Sequence, residues 1–153
     1  MTPRLNPMKQ PPAGILKLVD LTQTVAASGL DKSLLELVKI RASQINGCAY
    51  CLHMHTRDAR AQGETEERIY LLDGWREAPC YTDKERAALA WTDALTLVAT
   101  THAPDADYDP LKAQFSEEEQ VNLTLAITTI NAWNRLAIGF RSVPDMGGAR
   151  DRA

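Results

Sequence analysis

The sequence predicts an all-α domain of about six helices. Apolar residues recur at three- and four-residue spacing along most of the chain. Capping residues open these stretches and glycines close them. No stretch alternates apolar with polar residues or carries a hairpin-turn signal. At 153 residues, 44% hydrophobic and 24% charged, the chain suits one ordinary domain, with no internal repeat.

Residues 1–13, with Pro3, Pro7, Pro11 and Pro12, read as an extended N-terminal arm, and 14–141 as the helical domain. The first helix, Gly14 to Ser28, carries Ile15, Leu18, Val19, Val25 and Ala26 and stops at Gly29. Asp31 is the N-cap of the second, which runs to Asn46 with Leu34, Leu37, Val38, Ala42 and Ile45 on one stripe and Gly47 as its stop. A central helix starts near Cys48 and ends at Gly63, and a short one covers Glu64 to Leu72. After a loop from Asp73 to Tyr81, Thr82 with Glu85 forms a capping box for a helix reaching about Thr100. His102 to Pro110, rich in Asp and Pro, reads as a linker, with a helical turn at Leu111 to Phe115. Ser116 with Glu119 is a second capping box, opening a helix to about Phe140 with Val121, Leu125, Ile127 (or Thr128) and Ala132 in its helical pattern. Residues 142–153 form a flexible tail.

A net charge of −3 and the lack of a dense Lys/Arg cluster argue against nucleic acid or an anionic membrane as partner. No apolar run approaches the ~18 residues of a membrane span. The opening MTPRLNPMKQPP lacks the apolar core of a secretion signal, so the expected location is the cytoplasm. Three cysteines do not make a disulfide scaffold, and in a reducing compartment Cys48-x-x-Cys51 points to redox work or metal binding.

Cysteine in the first turn of a helix faces the positive end of the helix dipole, which favours thiolate. Cys51 and His55 are four apart and share a helical face, so the imidazole can take or return a thiol proton. Cys48 stands one turn the other way, placed to close a disulfide onto Cys51. If the helices flanking Gly47 fold back antiparallel, Glu36 comes near His55; burial there would raise its pKa and let it pass a proton. A structural alternative stays open for Glu36: Ser33-x-x-Glu36 is itself a capping-box pattern, and Lys32 and Lys39 can pair with it on a solvated face.

Glu36, eleven intervening residues, Cys48-x-x-Cys51, three residues and His55 together resemble the signature of the AhpD-like alkylhydroperoxidase family. RASQINGCAYC, ALAWTDAL and NAWNRLAI resemble that family's segments too, and the similarity runs from about Leu30 to Phe140. The resemblance implies an all-helical fold and homo-oligomers, usually trimers or hexamers. It also implies a thiol peroxidase with no cofactor beyond the cysteine pair. In that scheme a small organic hydroperoxide oxidises Cys51, Cys48 resolves the sulfenic acid, Glu36 and His55 relay protons, and an external dithiol of lipoyl type reduces the disulfide. The position between the cysteines, a His in some members, is Tyr50 here; it can donate a hydrogen bond but rarely shuttles a proton near neutral pH. The related carboxymuconolactone decarboxylases generally lack the cysteine pair, which tilts the choice toward redox chemistry.

Zinc on Cys48, Cys51 and His53 or His55 is disfavoured because no second ligand pair follows, and a helical His53 points away from the Cys51/His55 face. His53 reads as a surface or interface residue, Cys80 as an incidental thiol, His102 as solvated, and Trp75, Trp91 and Trp133 as core or interface anchors. Arg135 is assigned either to the pocket or to an acid between subunits. Two other functions fit the same residues: a disulfide reductase or thiol relay for a partner protein, and a redox-sensing oligomer without turnover.

Overall fold

Cap, stripe and stop residues set the elements of the computed structural model, which describes residues 2–146. Eight α-helices are present among these residues: α1 Ala13–Ala26, α2 Lys32–Asn46, α3 Ala49–Ala61, α4 Glu66–Leu71, α5 Asp83–Thr96, α6 Val98–Thr101, α7 Asp105–Gln114 and α8 Glu117–Phe140. A 3₁₀ turn at Leu72–Gly74 follows α4, and no strand occurs among the described residues. The expected Asp31 cap accepts the Leu34 N–H at 2.8 Å, and both capping boxes form. Residues 147–153 of the expected tail lie outside the described residues.

Helix α2 is the hub, packed against α3, α5 and α8. Five consecutive residues, Leu34 to Val38, are buried, so the single stripe expected for it gives way to burial all round. Leu34, Leu35 and Val38 meet α5, α7 and α8 in one cluster, while Leu37 and Ile40 meet Trp75, Tyr81 and Leu89 in another. Asp93 of α5 ties the second cluster together, accepting from Arg41 at 2.7 Å, Arg76 at 2.5 Å and the Trp75 indole at 3.3 Å.

In the second half of the chain, three expectations need correction. The helix from Thr82 breaks at Leu97 rather than running to Thr100, and the Thr101 hydroxyl donates to the Ala94 carbonyl at 2.6 Å, satisfying an acceptor the break leaves free. The linker assigned to His102–Pro110 is largely helix α7: Pro104 is its N-cap, and Asp105 and Asp107 lie in its first turn, where acids favour the dipole. On α8, Ile127 of the expected pattern is buried but Val121 is 60% exposed, and the rest of the buried stripe is Leu123, Ala126, Ile130, Asn134 and Ala137. An apolar count could not choose this face because α1 and α2 both pack on the helix.

The N-terminal arm is bent rather than extended. Met8 and Lys9 bond back to Asn6, and Arg4 fastens to the C-terminus of α8 through its backbone N–H to Phe140 O and its guanidinium to Gly139 O, each 2.9 Å.

Candidate functional site

The junction between α2 and α3 is two residues long. Gly47 adopts φ +68°, the left-handed conformation that closes α2, and the Cys48 N–H reaches back to Ser43 O at 2.9 Å in a Schellman-type cap. The side chain of Cys48 then caps α3, its sulfur accepting the Cys51 N–H at 3.4 Å. Cys48 and Cys51 are both buried free thiols.

The antiparallel return of α3 along α2 brings Glu36 to His55, as the spacing anticipated. Glu36 Oε2 lies 2.8 Å from His55 Nδ1, and Lys39 donates to Glu36 Oε1 at 2.7 Å. Both members of the Glu36–His55 pair are less than one-tenth exposed. The face is therefore not solvated, and the N-cap of α2 is Asp31 rather than Ser33. The expected rise in the Glu36 pKa is not found. Burial pushes the carboxyl up, but the hydrogen bonds and charges of His55 and Lys39 outweigh it, and the net shift is downward. An ionised Glu36 can only accept, so His55 carries its proton on Nδ1 and leaves Nε2 free to exchange one.

The two thiols are driven apart in acidity. A hydrogen bond from the Cys51 thiol, helped by the Cys51 N–H and the Asn134 amide, brings Cys48 down to about 7 against the cost of burial. Cys51 is pushed up by donating to Cys48, by burial and by the Cys48 charge. Of the two thiols, Cys48 is the more acidic. Cys51 lines a cavity of about 300 Å³, and Cys48 does not.

Two cavities meet over α3. The one at Cys51 is walled by Leu5, Pro7 and Met8 of the arm and by Leu136 and Ala137 of α8. The other, about 400 Å³, is lined by His55, Lys39 and apolar residues of α1, α2 and α8. Met8, Tyr50, Met54 and Trp133 border both. Tyr50 stands there 39% exposed, on the rim rather than between the thiols.

Glu36, His55 and exposed Asp58 bring one ligand atom each within 4.8 Å of one another, a grouping unlike the cysteine set considered from sequence. The Lys39 ammonium on Glu36 opposes a dication there. His53 is half-buried, Cys80 is a partly exposed free thiol, His102 is exposed, Trp75 and Trp91 are core, and Trp133 is partly buried. Within the chain, Arg135 donates to the Asn131 carbonyl and side-chain oxygens, at 2.9 and 2.8 Å. Sequence reasoning missed Lys39 as a buried partner, the arm as a cavity wall, and Asn134. Only Asn134 left a signal, an amide inside the core stripe between Ile130 and Ala137.

The carboxymuconolactone decarboxylase family model matches residues 17–94. Protein YdfG of Bacillus subtilis (strain 168), described as uncharacterised, is 41% identical over 138 residues, covering 90% of this chain and 94% of its own. A crystal structure of a protein of unknown function from Agrobacterium tumefaciens, for which an antioxidant defence role as AhpD is suggested, superposes with a TM-score of 0.91. It shares 46% identity and covers 94% of this chain and 99% of that one. The debrominase Bmp8, solved as a cysteine-to-alanine variant in complex with 2,3,4-tribromopyrrole, has a TM-score of 0.79 at 19% identity over 91% of this chain and 74% of its own, a likeness of fold alone. The chain belongs to the carboxymuconolactone decarboxylase family, within the superfamily that holds the AhpD-like proteins.

Proposed function

We propose that this protein is a thiol-dependent reductase of small organic hydroperoxides. The observation that supports it most is a cysteine pair in which Cys48 is acidic and Cys51 lines an apolar-walled cavity, with His55, oriented by an ionised Glu36, one turn further along α3. The antioxidant role suggested for the Agrobacterium relative points the same way.

Cys51 passes its proton to Cys48, whose sulfur already accepts the hydrogen bond, and becomes the nucleophile. It attacks an oxygen of the hydroperoxide; the O–O bond breaks, the leaving alkoxide takes a proton from His55, and Cys51 becomes a sulfenic acid. Cys48 gives the proton it took from Cys51 to the now neutral His55, and the resulting thiolate attacks the Cys51 sulfur; the S–OH bond breaks, the hydroxide takes that proton from His55 and leaves as water, and a disulfide remains. An external dithiol, of lipoyl type, reduces that disulfide by exchange and is itself oxidised. Tyr50 at the cavity rim contacts substrate rather than relaying protons. The active form is a homo-oligomer.

The test is consumption of cumene hydroperoxide with dihydrolipoamide by wild type, Cys51→Ser and Cys48→Ser, with dimedone trapping of sulfenic acid. Wild type turns over, both variants fail, and Cys48→Ser accumulates the adduct on Cys51. An adduct on Cys48 in Cys51→Ser, with none on Cys51, reverses the two roles. A wild type that consumes no peroxide but exchanges rapidly with a protein disulfide is a thiol relay instead.

A further inference from the structure

Asn134 is wholly buried on α8 between Ile130 and Ala137, which pack in one cluster with Cys48 and Cys51, and it bonds Ser43, whose carbonyl takes the Cys48 N–H. Which end of that amide meets sulfur follows from its neighbours. Its Oδ1 receives Asn46 Nδ2 at 2.8 Å, and its Nδ2 donates to Ser43 Oγ at 3.0 Å. Ser43 can accept because its own proton goes to Lys39 O at 2.7 Å. Turning the amide over would set its NH₂ against that of Asn46, donor against donor. Asn46 cannot turn to relieve this, since it also donates to Asn131 Oδ1 at 3.0 Å. Asn131 is fixed in turn: Arg135 donates to its Oδ1, and its Nδ2 donates to Ile127 O at 2.9 Å and Thr96 Oγ1 at 3.0 Å. From the Arg135 cation inward, every amide has one consistent orientation. It ends with one Asn134 N–H unspent, in the layer of α8 that packs on the two cysteines.

We propose that Asn134 positions the cysteine pair for thiolate chemistry, donating its remaining amide proton to the sulfur that carries the charge, with Asn46, Asn131 and Arg135 holding the amide in that sense. The inference rests on the reading of Cys48 and Cys51 as a working redox pair. A neutral donor at a buried sulfur favours the anion over the thiol, and it adds to the Cys51 N–H that the same sulfur accepts. A buried asparagine also ties α8 to α2, so loss of stability alone would say nothing about sulfur. The readout must be the acidity of the thiols.

The experiment follows the rate of iodoacetamide alkylation of the reduced protein against pH, for wild type, Asn134→Ala and Asn134→Asp, with circular dichroism and thermal melting of each. The midpoint should rise by about one pH unit or more in Asn134→Ala, a roughly tenfold loss of thiolate below the midpoint. It should rise further in Asn134→Asp, where a carboxylate of the same shape replaces the donor. A folded Asn134→Ala protein with an unmoved midpoint overturns the proposal. If neither variant folds, Asn46→Ala decides: it leaves Asn134 in place but frees its amide to turn, and an unmoved midpoint there overturns the proposal equally. No peroxide enters this measurement, so a wild type inactive on every hydroperoxide would defeat the peroxidase reading through a different assay.

Discussion

Glu36 is nearly sealed from water, yet Lys39 and His55 keep it charged, and that has a measurable sign. A carboxyl whose folded pKa lies below its ordinary value of 4.5 contributes stability at higher pH, and that contribution disappears as pH falls through the folded value. Glu36→Gln should therefore lose about 1–3 kcal/mol at neutral pH, by leaving Lys39 and His55 with a weaker acceptor. The gap to wild type should close as acid is added below pH 4.5. Urea unfolding from neutral to acid pH checks this; a gap constant over the range would mean that Glu36 is not the ionised partner. The Glu36–His55 meeting was legible because two antiparallel helices joined by a tight turn leave few registers. The sign of the pKa was not, because Lys39 sits one turn along α2 and reads from sequence as a solvent-facing cation. Asn134 was harder still: its partners Ser43 and Asn46 lie about ninety residues away in the chain.

The α2–α3 junction carries the site at the scale of elements. Gly47 has open space around its Cα, so Gly47→Ala meets no clash, but φ +68° remains strained for any residue with a Cβ. The variant should be about 1 kcal/mol less stable in urea unfolding. Its alkylation midpoint should also rise, because the cap that aims Cys48 loosens. A loss of stability with an unchanged midpoint would show that the turn supports the fold alone. The flanking helices were readable because stripes, caps and stops agreed. Helix α7 was not, although Tyr108, Leu111 and Phe115 carry helical spacing. Tyr108 packs against Trp91, and Leu111 and Phe115 are buried. Its Asp and Pro residues are the usual marks of a loop, and here they start a helix. Pro110 inside it gives up one backbone donor, and the packing of α7 on α5 outweighs that loss.

On the whole molecule, the apolar side chains of Leu16, Leu97, Val98, Val121 and Ile138 are each 47–60% exposed. Self-association is the expected use, and sedimentation velocity should find a trimer or hexamer; a monomer at micromolar concentration would remove that expectation. No helix among the described residues is long and apolar enough to cross a membrane. The arm has a role that its proline content concealed, since Leu5, Pro7 and Met8 wall the cavity at Cys51 and Arg4 pins them to α8. Removing residues 1–8 should speed alkylation of Cys51 severalfold with little change in melting temperature. An unchanged rate would mean that the arm does not limit access.

The sulfur of Cys48 serves as a helix cap only while it is reduced. Once joined to Cys51 it is a poorer acceptor for the Cys51 N–H, and the negative charge that the cap favours is gone. Every interaction that lowers the Cys48 pKa to about 7 therefore stabilises the dithiol over the disulfide and raises the reduction potential of the couple. In the proposed cycle, reduction of the pair by a dithiol is therefore favoured by how a single turn between two helices is capped.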